Sequence, residues 1–244
     1  MNIVHYMTMI DITQMTPRRA RKRQAKIASI LQTALELATE EGLERLTTHR
    51  LAKRLDLVVG ALYRYFPSKE ALITALEVKA IEEYGDHLSR AWREVATLPL
   101  SGEAGALAPV VALGVVYEHL MQTQPAHFHL INLVMANPKN VLSLEEAQKV
   151  LDVMHSLFAD LATPFDDAAE TGALSPGDGR ERITLFWSST MGVLQVSKLS
   201  RHDPSIQGIR LLDGILVSLL SGWGASPDAV VEAIKAVRAW QEAP

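Results

Sequence analysis

The side chains best placed to do chemistry fall between Thr47 and Leu72, in TTHRLAKRLDLVVGALYRYFPSKEAL. Thr47, Thr48 and His49 offer hydrogen-bonding groups in one short cluster, Tyr63, Arg64 and Tyr65 in a second, and Lys69 follows. Hydroxyl, imidazole, guanidinium and ammonium groups so grouped suit the phosphate oxygens and base edges of double-stranded DNA. The chain offers little for catalysis: it has no G-x-S-x-G, no P-loop, no H-E-x-x-H and no paired carboxylates with a clear partner. Cys is absent, which excludes disulfides and thiolate metal sites. His119, His127, His129 and His155 raise the question of a metal, but His127 and His129 are two apart and point to different faces of a helix, with no carboxylate cluster at useful spacing. No metal and no cofactor are expected, and hydrogen bonding to an effector or to the core is the reading of these histidines.

The elements that must hold the first group can be read from periodicity and punctuation. From Gln24 the apolar residues Ile27, Ile30, Leu31, Ala34, Leu35 and Ala38 follow helical steps of three and four, and Gly42 closes that helix. Thr47 or Thr48 can cap a second helix that carries Leu51, Ala52 and Leu55 inward. Ala52 is small enough for two helices to meet closely, and the turn then needs a left-handed residue at Asp56. A helix at about Val59–Tyr65 would enter the major groove, with Leu51, Leu55, Leu57, Leu62 and Tyr65 or Phe66 closing a small core. Ser68 caps a long helix from Lys69 to about Val95.

Residues 24–75 resemble the DNA-binding domain of the tetracycline-repressor (TetR) family of bacterial transcription regulators. The likeness is carried by the first helix ending at Gly42, by LTTHRLAKRL and by GALYRYFPSKEAL, and it covers about a fifth of the chain. It implies that Thr47 and Thr48 bond phosphate and that His49 reaches a base or a phosphate. Val59, Gly60 and Ala61 would lie on the reading helix, with Gly60 and Ala61 against the groove floor. Tyr63 would touch phosphate or a thymine methyl, Arg64 and Tyr65 would lie at the groove edge, and Lys69 would anchor phosphate. One of the two tyrosines is expected to be a core aromatic, Tyr65 being favoured. Asp56 and Val58 stand where members have glycine and a capping residue, so base reading is expected to lean on apolar contact, His49, Arg50 and DNA shape.

Charge is divided along the chain. Residues 1–70 carry 12 Lys+Arg against 7 Asp+Glu, a net of +5, and residues 71–244 carry 12 against 21, a net of −9. A basic head on an acidic body confines phosphate binding to the head. Arg18, Arg19, Arg21, Lys22, Arg23 and Lys26 belong either to a solvated tail or to a phosphate-contacting arm, and residues 1–23 are assigned as a flexible basic arm. No apolar run long enough to span a membrane is evident, and the N-terminus lacks the form of a secretory signal, so a cytoplasmic protein without a membrane partner is expected.

After Pro99 every segment again reads as helix: about 104–123, 126–136, 143–162, 165–171, 179–201, 205–222 and 227–241, with Pro125, Pro138, Pro164, Pro176, Pro204 and Pro227 at the boundaries. Ser143 and Glu146 are spaced as a capping box. The expected fold is all-α, with a three-helix helix-turn-helix domain over 24–70 and a helical bundle over 71–244. The resemblance implies that this bundle binds a ligand and dimerises. Tyr117, Met121, Phe128, Met135, Met154, Phe158, Phe186, Trp187 and Met191 are candidates for a pocket that takes a hydrophobic or aromatic small-molecule effector; singly, each is as well explained as core. Small residues within 179–222 (Ser188, Ser189, Gly192, Ser197, Gly208, Gly214, Ser218) suit a four-helix homodimer interface. The leading expectation is a ligand-responsive, non-enzymatic repressor that binds a palindromic operator. The alternatives are an all-helical enzyme and a DNA-binding protein without a ligand.

Overall fold

A computed structural model of the chain describes residues 16–42, 45–131, 143–203 and 206–243. Among them every regular element is helical: α1 Pro17–Glu41, α2 Thr48–Arg54, α3 Val59–Leu62, α4 Lys69–Val95, α5 Gly102–Thr123, α6 Pro125–Ile131, α7 Leu144–Leu161, α8 Thr163–Glu170, α9 Gly179–Ser197, α10 Gly208–Gly222 and α11 Pro227–Glu242. A 3-10 turn, Lys198–Arg201, extends α9. Pro17, Pro125, Pro164 and Pro227 stand in the first turns of their helices, because proline fixes φ and lacks only an N–H that the first turn does not need, whereas Pro109 lies inside α5.

Two boundaries differ from the sequence expectation. First, α1 starts at Pro17 rather than Gln24, so residues 17–23 are helical and not a flexible arm. A proline in the first turn followed by Arg, Ala, Lys and Gln, all good helix formers, accounts for the early start. Second, the chain divides into one compact unit of Met1–Tyr84 and Thr123–Ser156 and another of Gly85–Gln122 and Leu157–Pro244, not at 70/71.

In the first unit α1 buries Ile27, Ile30, Leu31, Ala34, Leu35, Leu37 and Ala38 and ends at Gly42 (φ 92°), whose N–H donates to the Ala38 carbonyl at 3.0 Å. α6, which buries Phe128, Leu130 and Ile131, packs on α1 and so extends the head beyond the expected three helices. The Ser143 capping box is half formed. Ser143 Oγ accepts from Glu146 N–H at 3.4 Å, but the Ser143 N–H goes to Glu70, while Glu146 takes Lys149 at 2.6 Å.

In the second unit α5 is buried on almost every face. By length and composition it could cross a membrane, with a mean hydropathy of 1.5, which corrects the expectation that no such run exists. Its apolar window is 78% buried within the protein, as in a core helix, and it carries the buried Glu118. Gly114 lies where an added Cβ would come within 3.1 Å of Leu216 and 3.3 Å of Phe186, so α5, α9 and α10 meet there at close range. Phe165 of α8 stands edge-on to Phe186 (5.5 Å) and to Trp223 (5.9 Å). Beside this apolar core, Arg238 of α11 bonds Glu118 of α5 at 2.9 Å and Asp213 of α10 at 2.6 Å, joining three helices through one guanidinium.

Candidate nucleic-acid interface

The turn between α2 and α3 is built entirely from backbone bonds. Leu57 N–H donates to the Ala52 carbonyl at 2.8 Å and Asp56 N–H to Lys53 at 3.3 Å. These two bonds around a left-handed residue form a Schellman motif. Asp56, with φ 53°, is that residue, and it is the one non-glycine of positive φ among the described residues. Asp reaches this region more readily than most side chains because its short carboxylate can bond locally. Leu51, Ala52, Leu62 and Phe66 are buried behind the turn, while Leu55 and Leu57 are half-buried. Thr47 caps α2, its hydroxyl accepting from Arg50 N–H at 3.2 Å, and Ser68 Oγ accepts from Ala71 N–H at 2.9 Å at the start of α4.

The reading helix is shorter than expected. α3 spans only Val59–Leu62, and residues 63–65 continue as turn, with Tyr65 and Phe66 N–H both bonding the Leu62 carbonyl. Val58 offers no side-chain cap and Gly60 disfavours helix, which explains so brief an element. Its outward face carries Val58 (76% exposed), Gly60 and Tyr63 (45% exposed), with Arg64 beyond. A Cβ at Gly60 would meet nothing within 4 Å. Thr47, His49 and Lys69 are also exposed, Thr48, Val59 and Tyr65 half-buried. Ala61 departs from expectation: at 5% exposure its methyl belongs to the domain core and not to a groove floor. Val58, which the sequence marked only as a missing cap, is the most exposed apolar side chain of this face.

Three arginines hold α1 to this motif. Arg23 Nη1 donates to the Arg64 carbonyl at 3.0 Å, and its guanidinium lies over the Tyr65 ring at 5.3 Å. It thereby fixes the end of the turn that carries Tyr63. Arg50 pairs with Glu41, and Arg54 meets both Glu40 oxygens at 2.8 and 2.9 Å. Arg50, expected to help read bases, is thus engaged within the protein. Long-range partners of this kind leave no periodic signal in the sequence.

The nine candidate effector residues do not gather in one unit. Phe128 and Met154 lie in the first and are buried. Tyr117, Met121, Phe158, Phe186, Trp187 and Met191 lie in the second, and Met135 falls outside the described residues. Phe158 and Trp187 stand edge-on at 5.6 Å, and Met121 Sδ accepts from Ser197 Oγ at 3.9 Å. Tyr117 and Phe186 are each 2% exposed. A groove of about 350 Å³ in the first unit is lined by Gln32, Leu35, Glu36, Thr39, Glu40, Glu83 and His127, none of them in that set. There His127 Nε2 lies 3.4 Å from Glu83. That bond, with Lys79, holds the Glu83 carboxyl below its ordinary range against the opposing effect of burial. Among the described residues no group of His, Asp and Glu is placed to hold a metal.

Two short helices joined by a Schellman turn, with an exposed donor-bearing face and a supporting first helix, define a helix-turn-helix protein. Residues 30–76 match the family described as bacterial regulatory proteins, tetR family. Over that segment the chain is similar to the TetR family. It is 41% identical over 76 residues to the nucleoid occlusion factor SlmA of Actinobacillus pleuropneumoniae (31% of this chain, 36% of the relative) and 39% identical over 72 residues to that of Haemophilus ducreyi (30% and 34%). The chain thus spans about a third of the length of these relatives. The fold is shared more widely. A protein of unknown function from Rhodococcus sp. RHA1 superposes with a TM-score of 0.62 at 16% identity, covering 81% of this chain and 94% of that one. The fatty acid degradation regulator FadR of Bacillus halodurans gives 0.59 at 15% (82% and 97%), and RolR in complex with resorcinol gives 0.58 at 18% (88% and 95%).

Proposed function

We propose that the protein is a DNA-binding transcriptional regulator, acting in the cytoplasm as a homodimeric repressor on a two-fold symmetric operator and released by a small hydrophobic or aromatic effector. The observation that carries this reading is the exposed face of the helix-turn-helix, where Thr47, His49, Gly60, Tyr63, Arg64 and Lys69 surround an open, apolar-tipped α3. Thr47, Thr48 and Lys69 would hold phosphates, and His49, Tyr63 and Arg64 would reach the groove, with Val59 and Gly60 in close approach and Tyr65 supporting them from behind. Ala61 takes no part in contact.

The dimer reading is supported by two exposed stripes. Leu185, Ser188, Gly192, Val196 and Leu199 follow one face of α9 and its extension, and Leu211, Gly214, Ser218 and Gly222 one face of α10. A Cβ at Gly192, Gly214 or Gly222 would meet nothing within 4 Å, so space for a second pair of helices is open. Palindromic operators mirror two-fold protein symmetry, which favours pairing of copies over burial within one chain.

The effector reading rests on the aromatic and methionine content of the body, and the structural likeness to RolR, which binds resorcinol, supports an aromatic ligand. Tyr117, Met121, Phe158, Phe186, Trp187 and Met191 of the second unit would line its site. A bound ligand would bias α4, which runs from Lys69 in the head to Val95 in the second unit, between two positions and so change the spacing of the two heads. Reciprocity requires that DNA then weaken ligand binding by the same factor. The contact assignment is tested by measuring operator affinity against salt. Lys69→Ala should weaken binding and lower the salt slope by about 2 for the two heads of a dimer, and Tyr63→Ala should weaken it without that change in slope. Unchanged affinity in both variants would remove the assigned face.

A further inference from the structure

Thr74 and Glu77 of α4 are each 0% exposed, and they lie one helical turn apart on one face. Thr74 Oγ1 and both Glu77 oxygens have no hydrogen-bond partner. Buried polar atoms in native proteins are nearly always paired, so three orphans within one turn require an explanation. We infer that Thr74 and Glu77 form an internal recognition point for a small organic ammonium ligand.

The donor count selects this chemistry. An ammonium carries three N–H donors and no acceptor, matching two carboxylate oxygens and a hydroxyl that can accept. A ligand carbonyl would satisfy only the carboxylic O–H and leave the second oxygen orphaned. Burial alone raises the Glu77 pKa from 4.5 to about 8, so this carboxyl is a neutral acid near pH 7 until a cation pairs with it. Several ionisable groups of this unit are engaged elsewhere. Glu70 of the same helix takes Ser143 N–H, and Lys79 and Glu83 pair with each other. His127 of α6 meets Glu83, Lys149 of α7 meets Glu145 and Glu146, and Glu40 and Glu41 of α1 take Arg54 and Arg50. The cation would therefore displace the Glu77 proton to solvent and form the ion pair in its place. The site lies in the unit that carries the helix-turn-helix and does not depend on the effector residues proposed for the second unit.

Isothermal titration calorimetry on the full chain tests this, with methylammonium and 2-phenylethylammonium as probes and 2-phenylethanol as the uncharged counterpart. Binding of an ammonium probe should strengthen about tenfold from pH 6 to pH 7 and level off above about pH 8. At pH 7, titrations in two buffers of different ionisation enthalpy should report close to one proton released. Glu77→Gln, which keeps shape and neutral charge, should abolish the preference over 2-phenylethanol and the proton release. Thr74→Val should weaken binding several-fold while leaving the proton release intact. Equal binding of ammonium and alcohol, proton release that survives Glu77→Gln, or no binding of either ammonium from pH 6 to pH 9 would overturn the inference. Operator release is not the readout, so failure here and failure of the regulator reading are distinguishable.

Discussion

Asp56 holds the helix-turn-helix at a conformational cost, and replacing it isolates that cost. Its φ of 53° lies in the region that an L side chain enters at about 1–2 kcal/mol. Glycine enters freely but loses about 0.5–1 kcal/mol more backbone entropy on folding. The Leu57–Ala52 and Asp56–Lys53 bonds use only backbone atoms, so both survive substitution. Asp56→Gly should therefore stabilise the head by about 0.5–1 kcal/mol. Asp56→Ala has no local carboxylate bond to offset the left-handed cost and should fall about 1 kcal/mol below the glycine variant. All four tryptophans lie outside the first unit, so their fluorescence does not follow the head. Hydrogen exchange at the Leu57 amide does, because that N–H closes the turn. Protection should rise about two- to five-fold in Asp56→Gly, as about 0.5–1 kcal/mol of added stability requires. The glycine variant should also bind DNA more tightly at low salt, an effect that fades as the lost carboxylate is screened. An alanine variant as protected as the glycine variant would refute the left-handed assignment and with it the Schellman description of the turn.

Three further outcomes follow from buried groups and open faces. The folded Glu77 pKa lies above its unfolded value, so the native state holds a proton that the unfolded chain loses. The resulting stability, up to about 5 kcal/mol, is present below about pH 4.5 and lost as pH rises through about 8. Wild type should thus lose on the order of 10 °C more in Tm than Glu77→Gln between pH 5 and pH 8, and parallel curves would contradict the buried acid. Arg238→Met should destabilise the second unit by about 3–5 kcal/mol in urea titrations, because Glu118, 3% exposed, is left as an unpaired buried charge; adding Glu118→Leu should recover much of the loss. Gly214→Leu meets no neighbour within 4 Å and improves helix propensity by up to about 1 kcal/mol, so the protomer should gain stability while the dimer dissociates in sedimentation velocity. A stable dimer of that variant would move the interface elsewhere.

Much of this architecture was legible because it is local. Helical steps of three and four, proline at helix starts and Gly42 after α1 are governed by neighbours in sequence, and the observed helices follow them closely. The demand for a left-handed residue at Asp56 was legible for the same reason, as was Tyr65 being less exposed than Tyr63. What escaped depended on distance along the chain. Arg23 reads as one more cation of a basic run, yet its partner is the carbonyl of Arg64, 41 residues away. Glu70 takes the Ser143 N–H from 73 residues away and displaces half of an expected capping box. Ala61 was placed at the groove by resemblance alone, and a helix as short as four residues has no periodicity to say which side faces inward. Glu77 sits among alternating apolar and polar residues, and nothing in that pattern marks a fully buried carboxyl.

The central claim is that the outward face of α3 and its flanking threonine, histidine and lysine read a symmetric DNA site. Its most direct test is to sequence the genomic fragments that the purified protein retains at physiological salt. The account predicts a small set of fragments sharing an inverted repeat whose half-sites lie about one helical turn apart or a multiple of it, lost when Tyr63 and Lys69 are both replaced by alanine. Retention without any shared sequence, or the same enrichment with the doubly substituted protein, would contradict it.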